Sequence, residues 1–249
     1  MLRAANPPVS RSANHILAGL AADDAHFIRT HLKSVELARG TVLSLTGDPI
    51  RQVLFPYSGA VSIMVALAAG HSIEAGVVGH NGAVGAAAAL VDTPALNDAI
   101  VRLPTRGVMV PVPILRKCAD QSSVLRSSLV RWERMLLAQA QQSAACNAVH
   151  PLEQRVSRWL LHLRDLIQDD VLPLTHEYLA QMVGGRRTTL TLIAQHLQIQ
   201  GTIEYRRGII RVRDAHRLRQ LACECYDTLN QYFELFIEWR PRSMMLQET

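Results

Sequence analysis

One stretch constrains this chain more than any other: THEYLAQMVGGRRTTLTLIAQHLQIQGTIEYRRGIIRVR, from Thr175 to Arg213. Thr175 suits a helix N-cap, because its hydroxyl can accept from an unpaired N–H of the first turn. Leu179, Met182 and Val183 follow on one face. Gly184-Gly185 breaks that helix, as residues free to take positive φ do. Leu190, Ile193, Ala194 and Leu197 then recur at the i, i+3, i+4, i+7 spacing of a second, core-facing helix. Gly201 stops it. Thr202–Arg206, a turn at Arg207-Gly208 and Ile209–Arg213 fit a hairpin with a positive tip.

The face opposite that stripe carries Thr188, Thr191 and Gln195, with Arg186 and Arg187 at its leading end. From Thr175 to Arg219 the cations are Arg186, Arg187, Arg206, Arg207, Arg211, Arg213, Arg217 and Arg219, against Glu177, Glu204 and Asp214. The whole formal charge of +5 can be assigned to this segment, a concentration that suits a phosphate-facing surface. A helix led by guanidiniums beside a basic ribbon fits a DNA groove and its flanking phosphates. A solvated helical hairpin with ordinary arginines is the alternative. It leaves the agreement of helix pattern, turn, polar face and wing unexplained.

These residues resemble the winged helix-turn-helix of bacterial regulators in the cyclic-AMP receptor and fumarate–nitrate regulator (Crp/Fnr) family. The resemblance implies that Arg186, Arg187 and Thr188, with Thr191 and Leu192 one turn later, reach base edges. It implies that Thr175, Arg206, Arg207 and Arg211 hold phosphates. No Ser, Thr or Asp caps the second helix, so DNA phosphate is expected to satisfy its leading N–H groups. Many family members have a glutamate where Thr188 stands, so their operator is not carried over. The resemblance further implies a homodimer on double-stranded DNA, with half-sites of a near-palindrome about 34–36 Å apart. RNA polymerase is a further partner if the protein activates transcription.

Upstream, the pattern changes to short strands cut by turns: VELARG, TVLSLTGDPI, QVLFPYSGAVSIMVAL, HSIEAGVVG and AIVRLPTRGVMVPV. Gly, Pro and Asp between alternating segments argue for an all-β roll or barrel. Gly40-Thr-Val-Leu, Gly47-Asp48, Phe55-Pro56-x-Ser-Gly59 and Glu74-x-Gly-x-Val-Gly79-x-x-Gly82-x-x-Gly85 resemble the family's cupin-like, cyclic-nucleotide-binding roll. The expected class is α+β. Residues 13–119 form the effector roll, 120–148 a dimerisation helix, and 149–249 the winged helix-turn-helix with a helical extension.

In the family an arginine followed by serine or threonine neutralises the cyclic phosphate. Asn97 and Asp98 stand there, and a carboxylate beside a phosphate repels it, which argues against cyclic AMP. Glu74, Gly82, Gly85, Asn97 and Asp98 outline a candidate pocket for another small-molecule effector. Loss of any effector, leaving the roll as a scaffold, is the other reading.

The helix from about Ser122 to Ala148 carries Leu125, Leu129, Trp132, Leu136, Ala140, Ser143 and Asn147 at spacings of three and four. At about 40 Å long it outruns the core of its own chain, and this stripe is assigned to a dimer seam, with burial inside the monomer as the alternative. Pro151 can start the next helix, whose apolar face is Leu152, Val156, Trp159, Leu160, Leu163 and Ile167. A last stripe, Leu218 to Phe236 and ending at Trp239, is expected to pack on its own domain.

With 49 % hydrophobic and 19 % charged residues, the chain is globular rather than disordered. Its pI near 9.3 favours an acidic partner. Cys118, Cys146, Cys223 and Cys225 form no CxxC pair or zinc-spaced cluster. Cys223 and Cys225 lie in a helical pattern that would point them to different sides. All four read as buried or idle reduced thiols, and no cofactor or metal is expected. No apolar run has the length of a bilayer span and the N-terminus lacks a signal-peptide core, so a cytoplasmic protein without a membrane role is expected. Two rivals remain. A cupin-type metal enzyme would use His71, His80 and Glu74, which lack the H-x-H spacing. A signalling module without DNA leaves the basic wing unexplained.

Overall fold

A computed structural model describes residues 14–20, 22–68, 70 and 72–238; the N-terminal arm, His71 and Trp239 lie outside them. Two short helices lead in, α1 (His15–Ala18) and α2 (Ala22–Arg29). Asn14 fixes the entry. Its side-chain oxygen caps Ile16 and Leu17, while its amide donates to Pro56 O and Gly82 O at 3.0 and 2.8 Å.

Five antiparallel strands build the roll: β1 (Lys33–Leu37), β2 (Val42–Ser44), β3 (Gln52–Ala66), β4 (Ser72–Val78) and β5 (Asp98–Pro111). Their order is β1-β5-β3-β4, with β2 also on β5. Val, Leu and Phe side chains fill the roll, with Val53, Leu54 and Phe55 buried in succession and Val61, Val101 and Val108 fully or almost fully buried. The alanine run forms α3 (Ala87–Leu90), and α4 (Val112–Gln121) closes the roll.

The long helix α5 (Ser123–Val149) starts at Ser122, whose hydroxyl accepts from Leu125 N at 3.1 Å. Leu125, Leu129 and Trp132, expected at a dimer seam, are fully buried against the roll instead. The Trp132 indole lies where a Cβ on Gly82 would be, about 2.0 Å from its ideal position, and donates to Ala83 O at 2.7 Å. Only glycine permits that approach. Leu136 also leans on this core, and Ser143 and Asn147 line a small cleft facing β4 and the next helix. The stripe holding the largest side chains therefore covers its own domain, where burial contributes most. The exposed side of α5 carries Val130 (43 % exposed), at the edge of a groove shared with α10, and Leu137 (58 %), with Ala144, Ala145 and Ala148 beyond them.

After Pro151 come α6 (Leu152–Ile167), β6 (Val171–Leu172), α7 (His176–Val183), α8 (Arg187–Ile199), β7 (Ile203–Arg206), β8 (Ile209–Val212) and α9 (Ala215–Leu221). Their core takes Val156, Leu160, Leu163, Leu179, Leu190, Leu197 and Ile210, and it also receives Ala60, Val77 and Leu103 from the roll. The last helix, α10 (Cys225–Glu238), does not stay with its own domain as expected. It lies along α5 as well as α6, with Leu229 in the roll core, Phe236 beside Trp132 and Phe233 stacked on His162. Among the described residues, no helix is long and apolar enough to cross a membrane.

Candidate nucleic-acid interface

Helix α7 begins where the Thr175 hydroxyl accepts from Tyr178 N at 3.3 Å, and ends at Gly184 in the left-handed region, φ 64°. The turn delivers α8 with Arg186 at its N-cap and no side chain capping it. Its leading N–H groups are left for an outside acceptor. Leu190, Ala194 and Leu197 are buried, which turns Thr188, Leu192 and Gln195 outward on the opposite face. Leu192 is 66 % exposed, a large apolar group on a polar face, able to meet a thymine methyl. Thr191 is half-buried, and its hydroxyl donates to Arg187 O at 3.0 Å. Gln195, on the polar face but outside the set expected at the bases, shares this surface and has a bidentate amide suited to adenine.

The wing follows from sequence. Arg206 pairs with Ile209, leaving a two-residue turn in which Arg207 and Gly208 both take positive φ, 49° and 77°. That is a type I′ hairpin turn, whose twist matches the strands it joins. Gly208 lies beside Thr175, a Cβ there being 3.5 Å from its methyl. The wing tip and the start of α7 therefore form one continuous surface.

The charges on this surface divide in two. Arg213 pairs with Glu204 and Arg219 with Asp227. Arg186, Arg187, Arg206, Arg207 and Arg211 are exposed and make no ion pair with any described residue. Five uncommitted guanidiniums along a helix end and a ribbon attract an anion in proportion to its charge density.

Behind this surface the roll grips the winged domain. Arg39 and Arg102 stack on the Tyr178 ring, 3.8 and 4.6 Å from its centroid. Arg102 also donates to Ser62 Oγ and to Gln181 Oε1, both at 3.3 Å. Glu74 accepts from Ser62 Oγ and from Trp159 Nε1. Burial pushes its carboxyl above the ordinary range, against those two hydrogen bonds.

Most of the residues expected to outline an effector pocket have other partners. Glu74 belongs to this inter-domain contact, and Gly82 is covered by Trp132. Gly85 makes the turn before α3, while Asp98 accepts from Thr46 N at 2.8 Å at the start of β5, next to Asn97. Gly82 and Gly85 are closely packed, a Cβ on them meeting Trp132 and Ile50 respectively.

The cysteines also depart from expectation. Cys223 and Cys225 do not share a helix, since α9 ends at Leu221 and α10 begins at Cys225. The turn between them brings both thiols to Cys146 and His150 at the end of α5. The two pairs are 77 and 75 residues apart in sequence, so no local spacing signals them.

Residues 154–221 match the Crp-like helix-turn-helix domain family. The fold is similar to FixK2 from Bradyrhizobium japonicum, with a TM-score of 0.66, 17 % identity, and 77 % of this chain and 98 % of that one covered. A Crp/Fnr-family regulator of Thermus thermophilus gives 0.64 and 24 % over 76 % and 98 %. A Crp/Fnr-family regulator of Eubacterium rectale, itself described as putative, gives 0.65 and 18 % over 83 % and 96 %. Compared by sequence alone, the chain matches none of the curated proteins.

Proposed function

We propose that this chain is a cytoplasmic transcription regulator that binds a near-palindromic operator as a homodimer, a reading supported by the match of residues 154–221 to a Crp-like helix-turn-helix domain and by the likeness of the fold to Crp/Fnr regulators. Two recognition helices enter successive major grooves with centres about 34–36 Å apart. Arg186 and Arg187 offer bidentate contacts to guanine, with Thr188, Thr191, Leu192 and Gln195 completing the base-reading face. Arg206, Arg207, Arg211 and the Thr175 hydroxyl hold phosphates and fix register.

The seam we assign to the outward face of α5. Val130, Arg134, Leu137, Gln141, Ala144 and Ala148 follow one another at alternating steps of four and three, the spacing of a paired-helix seam. Regulation rather than catalysis is the role, and RNA polymerase is the further partner wherever the operator position favours activation. The contact among Glu74, Trp159, Arg102 and Tyr178 offers an effector one route to the wing, because it ties β4 and β5 of the roll to α6 and α7.

The observation that carries this reading is the exposed face of α8, flanked by five uncommitted arginines. Selection of bound sequences from a random duplex pool should return a two-fold symmetric motif with half-sites about one helical turn apart. Recovery of no motif over random competitor at physiological salt would overturn it.

A further inference from the structure

At the end of α5 four potential metal donors meet: Sγ of Cys146, Cys223 and Cys225, and a ring nitrogen of His150, all within 4.8 Å of one another. The three cysteines bury together, apart from both apolar cores. Cys146 Sγ is 3.5 Å from Cys223 Sγ, and Cys225 Sγ is 3.6 Å from His150 Nδ1. The first distance is far too long for a disulfide. A tetrahedral zinc site with Zn–S near 2.3 Å and Zn–N near 2.0 Å has edges of roughly 3.5–3.8 Å. We propose that Cys146, His150, Cys223 and Cys225 bind a single Zn²⁺ ion that clips the C-terminal end of α5 to the turn between α9 and α10.

The surroundings fit that ion. His150 turns Nδ1 to the thiols and its other nitrogen, Nε2, to Glu224 Oε1 at 3.1 Å. A carboxylate holding the far side of a ligating imidazole fixes its tautomer and orientation. Gln142 Nε2 donates to Cys225 Sγ at 3.0 Å, a hydrogen bond that steadies a thiolate. Binding displaces three thiol protons and leaves three thiolates, a neutral imidazole and Zn²⁺, a net charge of −1. Arg158, buried and acting on Cys146 through its charge, supplies the balancing cation. Soft thiolates with one imidazole select zinc over magnesium or calcium. Four protein donors also leave no open position, so the site is structural rather than catalytic. Donors this close surround one ion and leave no room for a polynuclear iron–sulphur cluster.

The proposal is independent of DNA binding and is tested without it. The full chain, purified under reductant, should contain about one zinc per chain by elemental analysis. After removal of that metal, addition of Co²⁺ alone should give the visible ligand-field bands and thiolate charge-transfer absorption of a tetrahedral site, saturating at one equivalent. Cys146→Ser and Cys223→Ser should each abolish those bands while far-ultraviolet circular dichroism shows the fold retained. Cys118→Ser should keep them. Glu224→Gln should keep them but weaken metal affinity by about 10–100-fold. A folded, reduced chain that holds no zinc and gives no cobalt bands would overturn the proposal. So would bands that persist in both serine variants, or iron and sulphide in place of zinc.

Discussion

The indole of Trp159 donates to Glu74 Oε1 at 2.8 Å, joining α6 of the winged domain to β4 of the roll inside a buried contact. Trp159→Phe removes the donor and trims the buried indole to one six-membered ring, leaving a small cavity and a buried carboxyl short of one partner. Stability to denaturant should fall by about 1–3 kcal/mol. A midpoint indistinguishable from wild type would show that the bond contributes nothing.

Glu74 also gives stability a pH dependence of unusual sign. Burial raises its folded pKa above the ordinary value of 4.5, so the folded state holds the proton more tightly than the unfolded chain. The contribution is complete below the unfolded value and is lost as pH rises through the folded one. Glu74→Gln should therefore flatten the decline of stability above about pH 4.5, read from denaturation midpoints over a pH series.

His162 acts in the opposite direction. Gln139 accepts from Val77 N with its oxygen, so its NH₂ faces His162 Nε2 and the imidazole must accept. Desolvation, with Arg158 nearby, lowers its pKa from 6.5 to about 4. The folded state then resists protonation, and stability present above pH 6.5 is lost as pH falls toward 4. The full loss is on the order of 3 kcal/mol. His162→Gln should remove most of this acid sensitivity, which the same pH series measures.

The two faces of α5 should separate by mutation. Leu137→Glu on the outward face should convert the dimer to monomer in sedimentation while leaving the fold intact. Leu129→Ala, beneath the roll, should lower stability by about 2–5 kcal/mol through the cavity it leaves. Dimerisation that survives Leu137→Glu would move the seam elsewhere.

Base reading and phosphate holding separate in the same way. Arg187→Ala should lower affinity by about 1–3 kcal/mol and relax preference at one position of the selected motif. Arg207 has positive φ, a conformation asparagine tolerates better than arginine. Arg207→Asn should preserve the wing, weaken binding on all sequences, and make the salt slope shallower by about one. An unchanged slope would remove the wing tip from the phosphate set.

The winged segment was legible because its signals are local. The stripe Leu190, Ile193, Ala194, Leu197 and the pair Arg207-Gly208 each determine a conformation within a few residues. β6 was not, since two residues are too few to show alternation. The orientation of α5 was not legible, for a different reason. The helix is apolar on two sides, and periodicity cannot say which side meets a neighbouring chain and which meets its own roll. The role of Gly82 and Gly85 was not legible either, because close packing and ligand approach call for the same residue. The cluster at Cys146 and Cys223 depends on α10 crossing back to α5, a tertiary event with no signature in spacing.

That return of α10 bears on how the protein measures DNA. A hinge at Pro151 could swing freely only if nothing beyond it came back to what precedes it. Here the chain doubles back, and Phe236 rests beside Trp132. In the proposed dimer this bracing would hold each reading head against its own roll, like a pair of calipers locked by a cross-strut. On an operator of the proposed kind, one base pair inserted between half-sites turns one by about a tenth of a revolution, so binding should fall sharply with that spacing, as a direct affinity comparison would show.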